Sequence, residues 1–172
     1  MELSKRRRSG HWFVPRFLAL LIVFYVVSAL DPVNTHVVVP FTELVVGATV
    51  FLLRLLQQPL DVIGTVIRSP HFALDVRTGC NGIEAMMVLA AAMLAFPATL
   101  RSRIAGLLVG TAAIQVLNLV RVTSLIWLGE HHRPIFDFVH VGVWQSLIIL
   151  AAVSMFVVWS WKFAERPVPR TA

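Results

Sequence analysis

Three side chains in this sequence have the makings of an acyl-transfer centre. Cys80, the only cysteine, stands in Arg77-Thr78-Gly79-Cys80-Asn81-Gly82-Ile83-Glu84, where a polar stretch enters a long apolar run. Arg121 stands in Asn118-Leu119-Val120-Arg121, inside a second run, and His140 lies near the start of a third, in the stretch from Phe136 to Gln145. A thiolate attacks a peptide carbonyl to give a thioester. A nearby histidine activates the thiol and protonates the leaving amine, and an arginine donates to the oxyanion of the tetrahedral intermediate. Arginine suits that last role because it stays charged and acts strongly in a low-dielectric setting. It would also help to lower the pKa of a neighbouring thiol. Each residue has a plainer reading: Cys80 as a small buried apolar side chain, Arg121 as the structural partner of Glu84 or Glu43, and His140 as a donor to a backbone carbonyl. The choice turns on whether the chain brings the three to one place.

Composition fixes the setting. The chain is 58% hydrophobic and 14% charged over 172 residues, with a mean hydropathy of +0.79. A globule of that size cannot hide so much apolar surface, so a lipid bilayer must solvate much of it. The net charge of +6 is not a nucleic-acid patch. Lys5, Arg6, Arg7 and Arg8 precede an apolar segment and Lys162, Arg166 and Arg170 follow one, which is the pattern that orients a membrane protein. A single cysteine excludes an intramolecular disulfide and a dithiol oxidoreductase.

Residues 1–11 form a basic tail and 12–30 a first apolar segment, with Pro15 and Arg16 near its start. Its uninterrupted part, 17–30, is of signal-peptide length, and Val27-Ser28-Ala29 resembles a small-residue cleavage site. The preferred reading is an uncleaved anchor with Trp12 and Phe13 at the headgroups and Arg16 snorkelling back. Later spans are expected over 82–96, ended by Pro97, over 104–128 and over 138–163. The basic loop Arg101-Ser102-Arg103 and the tail 164–172 should be cytoplasmic, which puts Cys80 and the loop 129–137 on the outer face. With the N-terminus also inside, parity leaves no crossing for the stretch 37–56, which carries Glu43 and Arg54. It is read as an interfacial or re-entrant outer helix, whereas a plain hydropathy count would give five spans. Residues 60–77 break into short apolar runs, 62–67 and 72–76, joined by a turn at Arg68-Ser69-Pro70-His71, and are read as two short extended segments. The fold class is thus an all-α polytopic membrane protein: about four transmembrane helices, an outer-face segment (31–81) made of one interfacial or re-entrant helix (37–56) and a short extended segment (60–77), and a catalytic three-helix core over 82–163.

An ionisable residue at membrane depth is a functional hypothesis by default. Arg121 precedes Gly129 by eight residues, about 12 Å along a helix, and shares a helical face with Asn118. The sole cysteine, the deepest arginine and an intrahelical histidine therefore converge at one leaflet. Around them, Glu84 is four residues after Cys80 on the same face, to pair with Arg121 or orient His140. Asn118 is to position Arg121 or contact substrate, and Asp137 to cap the last helix. Glu130-His131-His132-Arg133 is read as a solvated loop.

The blocks Cys80-Asn81-Gly82-Ile83-Glu84, Asn118-Leu119-Val120-Arg121 and 136–145, in this order, resemble the three signature blocks of the exosortase/archaeosortase family: a Cys-Ser/Thr/Asn-Gly-Ile box, an Asn-x-x-Arg box and a later histidine at a helix start. The length and the Asn after the cysteine are most like the compact exosortase H group. The resemblance, over about residues 64–163, implies a multi-pass protein of the bacterial inner membrane. It also implies a cysteine transpeptidase whose catalytic set is Cys80, Arg121 and His140, with Asn81 and Gly82 in a supporting place and no metal or cofactor. Its substrates would be secreted proteins with a C-terminal sorting tag: a short motif, a hydrophobic helix and a basic end. The chain departs from longer bacterial members in lacking their extra N-terminal spans. Two other classes compete. A non-enzymatic subunit would bind haem or metal through His140 with His131 or His132, and a small transport or assembly subunit would bury Arg121 and Glu84 as a structural pair.

Overall fold

The computed structural model describes residues 12–77 and 79–163; the two terminal tails, with Lys5 to Arg8, Arg166 and Arg170, lie outside them. The chain is an all-α polytopic membrane protein with one small sheet. Helix α1 runs over Phe13–Ala29, with Pro15 in its first turn, where a missing N–H costs no helical bond, and it stops at Leu30 in an extended conformation. Helix α2, Asp31–Leu55, follows at once. Pro40 has no N–H to give to the preceding turn, and the helix widens just before it into a π turn over Asn34–Val38. Helices α3 (Ile83–Ala95), α4 (Leu100–His131) and α5 (Arg133–Phe163) complete the bundle. By length and apolarity α2, α4 and α5 are able to cross a membrane, while α1 and α3 are shorter apolar helices.

Several elements start earlier than their apolar runs suggest. α2 begins at Asp31 rather than near residue 37. α4 begins at Leu100, where the Thr99 hydroxyl accepts from the backbone N–H of Ser102 at 3.3 Å, a side-chain cap that needs no apolar residue. α5 begins at Arg133 with Pro134 in its first turn and His132 at the cap. Asp137, expected as that cap, instead lies inside the helix and is exposed.

The extended segment differs in detail too. The run 62–67 is not one strand but a hairpin, β1 (Asp61–Ile63) and β2 (Val66–Arg68), folded at Gly64-Thr65. Gly64 has φ +59°, the left-handed value that a type II′ hairpin asks of its first loop residue. Strand β3 (Ala73–Asp75) pairs antiparallel with β2, in the order β1-β2-β3 and the register Val62, Ile67, Leu74.

Two apolar clusters hold the bundle together. One, at the Cys80 end, joins Val46, Val50 and Leu53 of α2 to Ile67, Leu74 and Val76 of the sheet segment and to Val122, Leu125 and Ile126 of α4. The other, at the opposite end, joins Leu89, Met93, Ile114, Ala152 and Trp159, and an aromatic stack of Phe13 on Phe156 at 5.7 Å abuts it. No α2 residue belongs to the second cluster among the described residues. The buried residues Val46, Val50 and Leu53 of α2 pack at the Cys80 end. The β2–β3 turn is latched to the end of α4: His71 Nδ1 lies 2.7 Å from a Glu130 carboxylate oxygen, and the Ser69 hydroxyl donates to the other oxygen.

Candidate active site

The turn that carries Cys80, Gly79 to Gly82, is held by α4. Its side chains Gln115, Asn118 and Arg121 are spaced three apart and form one polar row along a mainly apolar middle stretch of the helix. The row takes three consecutive backbone carbonyls in reverse order. Arg121 Nη1 donates to Gly79 O at 3.0 Å, Asn118 Nδ2 to Cys80 O at 3.1 Å, and Gln115 Nε2 to Asn81 O at 3.2 Å. Asn81, fully buried, accepts at its side-chain oxygen from the backbone N–H of Ile83 at 3.1 Å, a local turn that starts α3. Its amide donates to the Thr42 hydroxyl of α2 at 3.0 Å. Gly82 has φ +81°, and a Cβ there would come within 2.7 Å of Gln115 Nε2 and 3.2 Å of Asn118 Cγ. The turn therefore demands glycine twice, for conformation and for space.

Cys80, His140 and Arg121 meet at this turn. Cys80 Sγ lies 3.1 Å from His140 Nε2 and 4.0 Å from Arg121 Nη2. That guanidinium nitrogen also donates to Gln145 Oε1 at 3.4 Å, and Arg121 is 97% buried in the sense that only 3% of its surface is exposed. His140 and Gln145 are five residues apart and would point about 140° apart on a regular α-helix. They converge because α5 runs as a π-helix over Phe138–Trp144, whose wider turn returns residue i+5 towards the same side. Burial pushes the Cys80 thiol above its ordinary pKa. The Arg121 guanidinium opposes this without cancelling it, and Glu84 and Asp75 add to the upward push. Arg121 thus pulls the thiol down as expected, but burial prevails.

The other expected residues fall outside this contact set. Glu84 forms no ion pair with Arg121, nor does Glu43, among the described residues. The Glu84 carboxylate instead borders the turn, 3.8 Å from where a side chain on Gly79 would stand. Asp137 is exposed, one turn before His140. His131 and Glu130 belong to the end of α4 rather than to a loop, and His131 Nδ1 sits 2.9 Å from Trp127 O. No group of three or more His, Cys, Asp or Glu side chains fit to hold a metal occurs among the described residues. The residues missed in the sequence are Thr42, Gln115 and Gln145. Gln115 had a signal, the three-residue spacing ahead of Asn118 and Arg121; Thr42 had none.

A search of curated proteins and one of solved structures each find no match to the chain. The family model described as transmembrane exosortase (Exosortase_EpsH) matches residues 8–162. With that match covering nearly the whole chain, the protein belongs to the transmembrane exosortase family.

Proposed function

We propose that this protein is a membrane-embedded cysteine transpeptidase or protease that cleaves the C-terminal sorting tags of secreted proteins through a thioester on Cys80. The observation that carries the reading is the 3.1 Å approach of Cys80 Sγ to His140 Nε2, with the Arg121 guanidinium beside the sulfur. The thiol proton passes to His140 Nε2 as the sulfur attacks the scissile carbonyl carbon. The resulting oxyanion takes a hydrogen bond from Arg121, whose buried Nε has no acceptor among the described residues. Collapse breaks the C–N bond, and the leaving amine takes the proton from His140. The tag departs with a free N-terminus. An amine or a water molecule then attacks the thioester, His140 accepts its proton, and the Cys80 thiol is restored. Gln145 and Asn118 hold the arginine and the nucleophile turn in place. No cofactor enters this scheme.

Topology fits the substrate in the same reading. Arg101 and Arg103 mark the end of the bundle remote from Cys80 as cytoplasmic, so Cys80 faces the outer side of a bacterial inner membrane. A tag helix anchored by its basic end would present its motif there. In this reading α1 and α3, though shorter than α2, cross with α4 and α5, and α2, whose Val46, Val50 and Leu53 join the cluster at the Cys80 end, stays on the outer side. The test is co-expression with a tagged secreted protein. Wild type should release the tag and yield a trapped thioester, and Cys80→Ser should do neither; tag release by Cys80→Ala would sink the proposal.

A further inference from the structure

At the end of the bundle opposite Cys80, the first half of α4 and the last turns of α5 part around a cleft of about 420 Å³. Its walls include Ala105, Val109 and Ala113 of α4 and Met155, Val158 and Trp159 of α5, and besides Trp159 only Ser154 and Lys162 among the lining residues have polar side chains. The indole N–H of Trp159 is already given to Ser102 O at 3.0 Å. An occupant therefore finds little to hydrogen-bond along the cleft. At the mouth the character changes. Lys162 lines the rim, and Arg101, exposed and four residues before Ala105, continues the same face of α4 past the apolar wall. Neither cation is in an ion pair among the described residues. The first turn of α4 adds the positive end of its helix dipole to the same rim.

An apolar slot with a doubly cationic mouth selects an amphiphile with an anionic head. A helix without charge would leave the two cations unused. A helix ending in basic residues would also meet like charge at Arg101 and Lys162. We propose that the cleft is a binding site for an anionic phospholipid. One acyl chain lies between α4 and α5, and the phosphate is held by Arg101 and Lys162, as basic pockets between membrane helices hold acidic headgroups. The bound lipid ties together the two helices that carry Arg121 and His140 at their other ends.

The test uses the full chain in detergent, given equal amounts of phosphatidylglycerol and phosphatidylcholine of matched acyl chains, with bound lipid read by native mass spectrometry. The wild type should retain phosphatidylglycerol over phosphatidylcholine by about tenfold or more, as two interfacial cations imply. Arg101→Gln with Lys162→Gln should erase that preference, and Ala105→Phe, which fills the slot and leaves both charges, should lose both lipids. Equal retention of the two lipids by wild type would overturn the proposal, as would a preference that survives the double charge variant. So would an Ala105→Phe protein that keeps its lipid but no longer cross-links a tagged substrate or no longer self-associates, since the slot would then hold a helix or a second copy. The readout involves no peptide cleavage, so failure here leaves the Cys80 scheme untouched, and failure of that scheme leaves this site untouched.

Discussion

The Asn118 amide donates to the carbonyl oxygen of Cys80 at 3.1 Å, so the helix that carries Arg121 also fixes the backbone of the proposed nucleophile. Replacing Asn118 with Ala leaves a buried carbonyl unpaired, at a cost of about 1–3 kcal/mol. Thioester formation should slow by about a hundredfold, the scale of a small misplacement of reacting groups. Single-turnover measurement of the trapped thioester checks this. Iodoacetamide should still modify Cys80 in the variant, which separates misplacement from unfolding.

Gly82→Ala should be far more harmful than Gly64→Ala. Both positions have positive φ, but a Cβ at residue 64 meets open space, while one at 82 runs into Gln115 and Asn118. Strain of about 1–3 kcal/mol applies to each, and the steric conflict adds to it only at 82. Thermal unfolding in detergent should show the larger loss for Gly82→Ala, along with loss of the thioester.

The thiol is held above its ordinary pKa mainly by burial, with Arg121 pulling down. Alkylation of Cys80 should therefore rise with pH through a midpoint above that of a free cysteine. Arg121→Met removes the one downward influence and should move the midpoint higher still. A midpoint that falls in Arg121→Met would contradict this electrostatic account. The pH profile of the alkylation rate gives the answer directly, because no other thiol is present.

Thr42→Val keeps the shape of α2 but removes the hydroxyl that accepts from Asn81. The Asn81 amide is then buried without that partner, at about 1–3 kcal/mol. Activity should fall several-fold or more and return with Thr42→Ser, which restores the acceptor. Equal activity in the two variants would mean that α2 has no hold on the site.

The two ends of α2 report the topology. In a Cys80→Ser background, Asp31→Cys and Gln58→Cys should both react with a membrane-impermeant maleimide added from the outer side. Labelling of only one would mean that α2 crosses, giving five spans.

The convergence of Cys80, Arg121 and His140 was legible because each is a costly or unique residue in an apolar context, and depth along each run put all three at one end. Gln145 was not legible, because its convergence with His140 depends on a π turn rather than on regular helical spacing. Thr42 was hidden for another reason: one hydroxyl on a helix is ordinary, and only the tertiary packing of α2 against Asn81 gives it a task. The helix count followed from apolar runs, but the starts of α4 and α5 did not, since Thr99, His132 and Pro134 set them by capping and backbone geometry. The hairpin at Gly64 was missed because six apolar and small residues in a row read as one strand. That Glu84 stands beside the turn and leaves Arg121 alone is likewise a matter of side-chain direction, on which spacing is silent.

Asn81 is joined to three helices at once: its amide to α2, its backbone carbonyl to α4, and its side-chain oxygen to the first N–H of α3. A residue clamped in this way leaves its neighbour Cys80 little freedom to wander. The dipoles around the sulfur are set when the chain folds, not when substrate arrives. In the proposed reaction, substrate binding would then have only the scissile acyl group to orient, with little of the activation barrier left to protein reorganisation.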